Sequence, residues 1–161
     1  MGKKNKPIKE SLAISAIASM LLNEIEHFYR PLIEHINSKT FLSSGDHFNP
    51  IRILMPLVET ASEFEFGGDP VLLLEKLDVK DPDLIWRMFR HGLSHHIRPF
   101  YAVVDGVRIN WAIPQFPTEH YKSADAIGIY PPKLLNDLEA YLEGFRYNGN
   151  MIEIQTGIEL I

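Results

Sequence analysis

DPDLIWRMFRHGLSHHIR, residues Asp81–Arg98, gathers Arg87, Arg90, His91, His95, His96 and Arg98 into one short run. The chain around it is acidic, with a formal charge of −5. Asp81–Pro82 is a helix-start pair: Asp accepts from free N–H groups, and proline has no N–H to leave unsatisfied. Leu84, Ile85, Met88 and Phe89 then form an apolar stripe at helical spacing. Arg87, His91 and His95 recur every four residues and share one face if the helix continues through Gly92. The helix should stop near His96, because Pro99 pushes the residue before it out of helical geometry. A buried helix that carries titratable groups at its end is a candidate site.

The segments on either side set the expected frame. Downstream, Val107, Ile109, Trp111 and Ile113 alternate with Arg108, Asn110 and Ala112, the period of a strand with one buried face. Asp105–Gly106 is a tight-turn signal, and Phe100–Val104 supplies the partner strand. Pro114–Ala126 is loop-like, and Ile127–Tyr130 adds a brief strand. Pro131–Pro132 starts a helix to about Phe145, with Leu134, Leu135, Leu138, Tyr141, Leu142 and Phe145 as its seam. The tail Met151–Ile161 is half apolar without a clean period.

Upstream, apolar residues at threes and fours predict one long helix over Pro7–Asn37, bent or divided at Pro31. Ser38–Asn49 is turn-rich, with Ser43–Asp46 as its loop core. A second helix is expected from Asn49–Pro50 to about Phe64, distorted early by Pro56. Glu59 stands out as an acid within an otherwise apolar turn. It either faces solvent or reaches the Arg90/His95 region, where a carboxylate could orient a working histidine. Asp69–Pro70 opens a short helix over Val71–Leu77 by the same Asp–Pro device.

At 161 residues the chain reads as a single domain, residues 1–161, large enough for its own core. Its 45% apolar and 23% charged residues are ordinary for a globular protein. Without cysteine it can form no disulfide, thiolate zinc site or cysteine nucleophile. No apolar run approaches the roughly eighteen residues of a membrane span, and the opening MGKKNKPIKE lacks an apolar signal core. These features set the expectation of a cytoplasmic protein with no membrane partner. The net negative charge argues against a broad, nonspecific grip on nucleic acid, though local clusters can still bind a phosphate.

Arg90–His91–Gly92–Leu93–Ser94–His95, with Phe89 before it, resembles the signature of the HEPN superfamily (higher eukaryotes and prokaryotes nucleotide-binding domains). That signature is an arginine, then a polar residue, and a histidine four to six residues after the arginine. The resemblance implies a mainly α-helical, HEPN-like bundle with a β-hairpin after the motif helix. It also implies a metal-independent RNA endonuclease acting as a homodimer, with two motif helices forming one composite site. Arg90 would hold the scissile phosphate, His95 would shuttle a proton, and His91 fills the polar position after the arginine. Glu59, Arg87 and His96 would support them. His91 departs from the frequent asparagine, and His96 offers an alternative functional histidine. The resemblance further implies RNA or a nucleotide as ligand and, as in many relatives, an antitoxin-type partner protein.

Two other readings of the same residues stand beside it. His91 and His95 have the i, i+4 spacing that lets two imidazoles share a metal ion, with His47, Glu59 or His120 as the third ligand. Glycine occupies position 92, where a zinc protease would carry glutamate, and the expectation is no metal and no cofactor. Alternatively the domain is a noncatalytic interaction, dimerisation or nucleotide-binding module whose Arg and His pair at a helix-end interface.

Overall fold

In the computed structural model, which describes residues 2–38, 44–113 and 119–161, helices account for about half of the structure and two separate sheets for about a fifth. The architecture is α/β and not the mainly α-helical, HEPN-like bundle expected from the sequence. The strands that overturn that expectation lie chiefly at the two chain ends.

Residues Asn5–Ala13 form strand β1 rather than the first turns of a long helix. They pair antiparallel with β6, the tail strand Met151–Leu160, from Asn5↔Leu160 to Ala13↔Met151, with one irregularity at Ile8/Lys9. Leu12, Ile152 and Ile154 pack partly against the core, whereas Ile8, Ile158 and Leu160 are exposed. Ile8 and Leu12 have helical spacing, but their pairing partners, Gly157 and Ile152, lie at the other end of the chain, where no local period can announce them. Lys4 and Ile161 exchange both backbone hydrogen bonds, at 2.8 and 3.1 Å. The alternate positions Asn5 and Pro7 therefore turn their backbone outward, to the edge where a strand tolerates proline.

The helical layer begins with α1 (Ile14–Glu24) and α2 (Arg30–Asn37), joined by a π-helical turn, Ile25–Tyr29. Pro31 follows that turn and cannot donate back into the helix, so the expected distortion falls where proline removes a donor. The third helix, α3, covers Ser44–Ser62 and holds Pro50 and Pro56 inside it. It starts ahead of the expected Asn49–Pro50 boundary. Part of the expected Ser38–Asn49 loop and of the 114–126 loop lies outside the described residues. Helix α4 (Pro70–Lys76) is capped as its sequence indicates, the Asp69 carboxylate accepting from the Val71 N–H at 3.0 Å.

The hairpin consists of β2 (Ala102–Val104) and β3 (Val107–Trp111), turned by Asp105 and Gly106 with φ of 50° and 77°. Two positive φ values are what the tightest hairpin turn needs. Strand β5 (Ala126–Gly128) pairs parallel with β3, and β4 (Tyr121–Lys122) pairs with β5, giving the order β2-β3-β5-β4. Helix α7 (Pro131–Glu143) buries Leu134, Leu135, Leu138 and Leu142 in the common core. Phe48 joins helix layer and sheet, its ring edge-on to Trp111 of β3 at 5.0 Å and near Phe89 at 6.4 Å.

Candidate functional site

The motif helix is built in three pieces: α5 (Pro82–Ile85), a π-helical turn (Trp86–Arg90) and α6 (His91–His95). Asp81 does not cap it with its side chain. It adopts a left-handed conformation, and its carboxylate pairs instead with Lys122 at 2.8 Å. Of the expected stripe, Ile85, Met88 and Phe89 are buried and Leu84 is half-buried, with Leu93 continuing it. The extra residue of the π turn shifts the helical phase, which brings Gly92 and Leu93 to the buried side.

Glycine at position 92 is a packing requirement. A Cβ there would stand 2.6 Å from the Phe100 nitrogen and 2.8 Å from the Pro99 Cα, because the departing chain crosses directly over it. The same crossing lets the Phe100 N–H donate to the Met88 carbonyl at 3.0 Å. Met88 lies in the π turn, and its carbonyl accepts both from the His91 N–H of its own helix and from the Phe100 N–H of the returning chain. Gly92, Pro99 and the π turn thus form one device that folds the hairpin back onto the motif helix.

Arg90 and Glu59 do come together. The Arg90 Nε lies 3.5 Å from the Glu59 carboxylate, both groups partly exposed, and the Arg90 guanidinium also bonds the Ser94 hydroxyl. Glu59 meets the arginine and not a histidine. Arg87 turns away to Asp83 at 3.2 Å. His91, His95 and His96 are all exposed, and among the described residues no hydrogen bond or ion pair engages their imidazoles. His96 lies against Phe100, ring centres 5.4 Å apart.

Arg52 is the residue that the sequence did not flag. From α3 it donates to the Leu93 carbonyl at 2.8 Å and the His96 carbonyl at 2.9 Å, and also bonds Asn49. It therefore satisfies carbonyls that the end of α6 leaves free, as a cation near a helix C-terminus should. Arg52 and Glu59 are seven apart on one helix and so share a face, the one signal that would have linked them. Together Arg52, Met55, Pro56, Arg90, Leu93 and Ser94 line a groove of about 320 Å³. Two guanidinium groups give the groove positive charge, Arg52 with all three nitrogens already donating within the protein and Arg90 beside the Glu59 carboxylate.

His47 and His120 lie elsewhere and are buried, 6% and 8% exposed. Burial lowers both imidazoles to about 4; a backbone hydrogen bond to Ile129 opposes this at His47, and Lys133 adds to it at His120. The His120 Nδ1 accepts from the Tyr130 N–H at 3.0 Å. Neither forms a metal site with His91 and His95: among the described residues no three His, Asp or Glu side chains converge as a metal ion requires. A further hollow of about 370 Å³ beside Lys76, Lys133 and Tyr141 has its lysines paired already, with Glu65 at 2.7 Å and Asp137 at 2.6 Å.

No protein-family model, curated protein or solved structure matches the chain. Among the described residues no helix is long and apolar enough to cross a membrane.

Proposed function

We propose that the chain is a metal-independent RNA endonuclease of HEPN type that works as a homodimer in the cytoplasm. One observation carries the reading: a groove lined by Arg52 and Arg90 lies at the end of a helix bearing three exposed histidines. RNA needs only this much from a catalyst. The ribose 2′-hydroxyl attacks the neighbouring phosphorus, the bond to the 5′-oxygen breaks, and a 2′,3′-cyclic phosphate and a 5′-hydroxyl result. The arginines stabilise the charge that builds on the non-bridging oxygens. One imidazole accepts the 2′ proton while another supplies the proton to the leaving oxygen, work for which histidine titrates in the right range. His95 fills one of these roles, and the second copy's imidazole in a dimer, or the neighbouring His91 or His96, fills the other.

A second reading, a noncatalytic RNA- or nucleotide-binding module, is favoured by the state of Arg90. Its guanidinium is already engaged by Glu59 and Ser94, which leaves fewer donors for a phosphate. Cleavage of a mixed-sequence RNA in excess EDTA separates the two, with Arg90→Ala and His95→Ala measured alongside. Cyclic-phosphate ends from the parent alone support the nuclease. Binding without cleavage by a well-folded dimer moves the assignment to the binding module.

A further inference from the structure

The hairpin that follows the motif helix has one face packed on the core and one face open. Ile109 and Trp111 are turned inward, Trp111 onto Phe48. On the open face Val103 is paired with Arg108, and Tyr101, Val103, Arg108 and Asn110 are all exposed. The Arg108 guanidinium carbon stands 3.8 Å from the centre of the Tyr101 ring, and its Nε donates to the Asn110 side chain at 2.8 Å. Tyr101 is thus a flat, exposed ring backed by a planar cation. Between this face and the motif helix, Phe100 is exposed with His96 beside it.

The charge around these rings runs against that of the whole protein. Residues 87–108 hold four arginines and three histidines against the single acid Asp105, in a chain whose net charge is −5. Arg87 and Arg90 of this run are paired with Asp83 and Glu59, which leaves Arg98 and Arg108 as its cations without an acidic partner among the described residues. A locally basic segment that carries exposed aromatic rings has the two parts that a single strand of nucleic acid requires. Arginines attract the backbone, and rings receive the flat faces of unpaired bases.

We propose that the hairpin face is a stacking platform for single-stranded RNA, with Tyr101 and Phe100 receiving bases next to the phosphate held in the Arg52/Arg90 groove. The proposal rests on the RNA reading above and adds its substrate class. A duplex hides its base faces and gains nothing from the rings, so selection for unpaired RNA originates here. Asn110 and Arg108 lie beside the ring to contact the base edge and the backbone.

The test uses the full chain carrying His95→Ala, so that RNA is not consumed. Binding of a short labelled single strand and of the same sequence as a duplex is followed by fluorescence anisotropy across a salt series. Tyr101→Ala should weaken single-strand binding roughly tenfold, the usual loss of one stacked base, and leave duplex binding and the salt slope unchanged. Tyr101→Phe keeps the ring and should keep the affinity. Arg108→Ala should flatten the salt slope, because it removes a cation from the platform. Unchanged single-strand affinity in Tyr101→Ala overturns the platform while the RNA reading stands. A parent that binds no RNA overturns both. If Tyr101→Ala instead dissociates an assembly in light scattering, the face is an interface between copies and the platform is again overturned.

Discussion

Histidine occurs in two opposite settings in this molecule. His91, His95 and His96 stand exposed at the end of the motif helix, whereas His47 and His120 are buried against the backbone around Ile129 and Tyr130. The first group is open to solvent and to any ligand in the groove. The second group has traded its proton affinity for packing, burial holding both imidazoles at about 4. An imidazole at that value is neutral near pH 7 and is a poor proton shuttle there. From sequence His91, His95 and His96 are candidates for the working site and His47 and His120 only for a third metal ligand, and the fold holds the two groups in different surroundings.

The sharpest way to break this division is to remove one histidine from each group. His95→Ala should lower RNA cleavage at least about a hundredfold, the usual contribution of a positioned acid or base, with the unfolding midpoint unchanged. His120→Ala should do the reverse. Its loss leaves the Tyr130 N–H buried without its acceptor and opens a cavity, costing about 2 kcal/mol, while cleavage per folded molecule persists. Cleavage and urea unfolding measured on both variants check this. A parallel fall in activity and stability for the two would erase the distinction.

Acid should act on the buried pair through stability. Each native imidazole titrates at about 4, below the ordinary histidine value of about 6.5 that holds in the unfolded chain. Between those values the unfolded state binds protons that the native state refuses, so stability falls as pH falls. Above pH ~6.5 the two histidines contribute no slope. By pH ~4 each should have cost on the order of 3 kcal/mol. Urea midpoints across this range should show that decline in the parent and about half of it in His120→Ala. A flat profile would mean that the two imidazoles are hydrated in solution.

How much of this was legible depended on how far apart in sequence the interacting residues are. The helix α7, the capped start of α4 and the Asp105–Gly106 hairpin follow from local periods and turn chemistry, and the structure has them. The β1–β6 ribbon does not, because each strand needs a partner at the other end of the chain to satisfy its backbone. The expectation of a helical bundle failed there. Gly92 stands at a motif position in the sequence, and its reason is the backbone of Pro99 and Phe100 crossing above it. The π turn ahead of it is equally silent in sequence, whereas the π turn at Ile25–Tyr29 could be anticipated from Pro31. Glu59 stands out in the sequence because an acid interrupts an apolar helix. Arg52 does not, since an arginine on a helix surface looks ordinary until the free carbonyls of another helix are placed against it.

Arg52 also supplies the mildest test, because it supports the exposed group from beneath without belonging to either set of histidines. Its two bonds, to the carbonyls of Leu93 and His96, hold the end of α6 against α3. A hydrogen bond from a charged donor contributes more than a neutral one, but this guanidinium is partly exposed, so Arg52→Ala should cost only about 1 kcal/mol. The loss should be local. Amide exchange at the end of α6 should quicken more than in α7, as expected when one helix end frays ahead of the core. Arg52→Lys keeps the charge but cannot present a planar fork to two carbonyls, so it should recover less than half of the loss. If lysine restores stability fully, the side chain acts as a point charge on the helix end. The geometry that sets the three exposed histidines beside the groove would then have to come from the Gly92–Pro99 crossing alone.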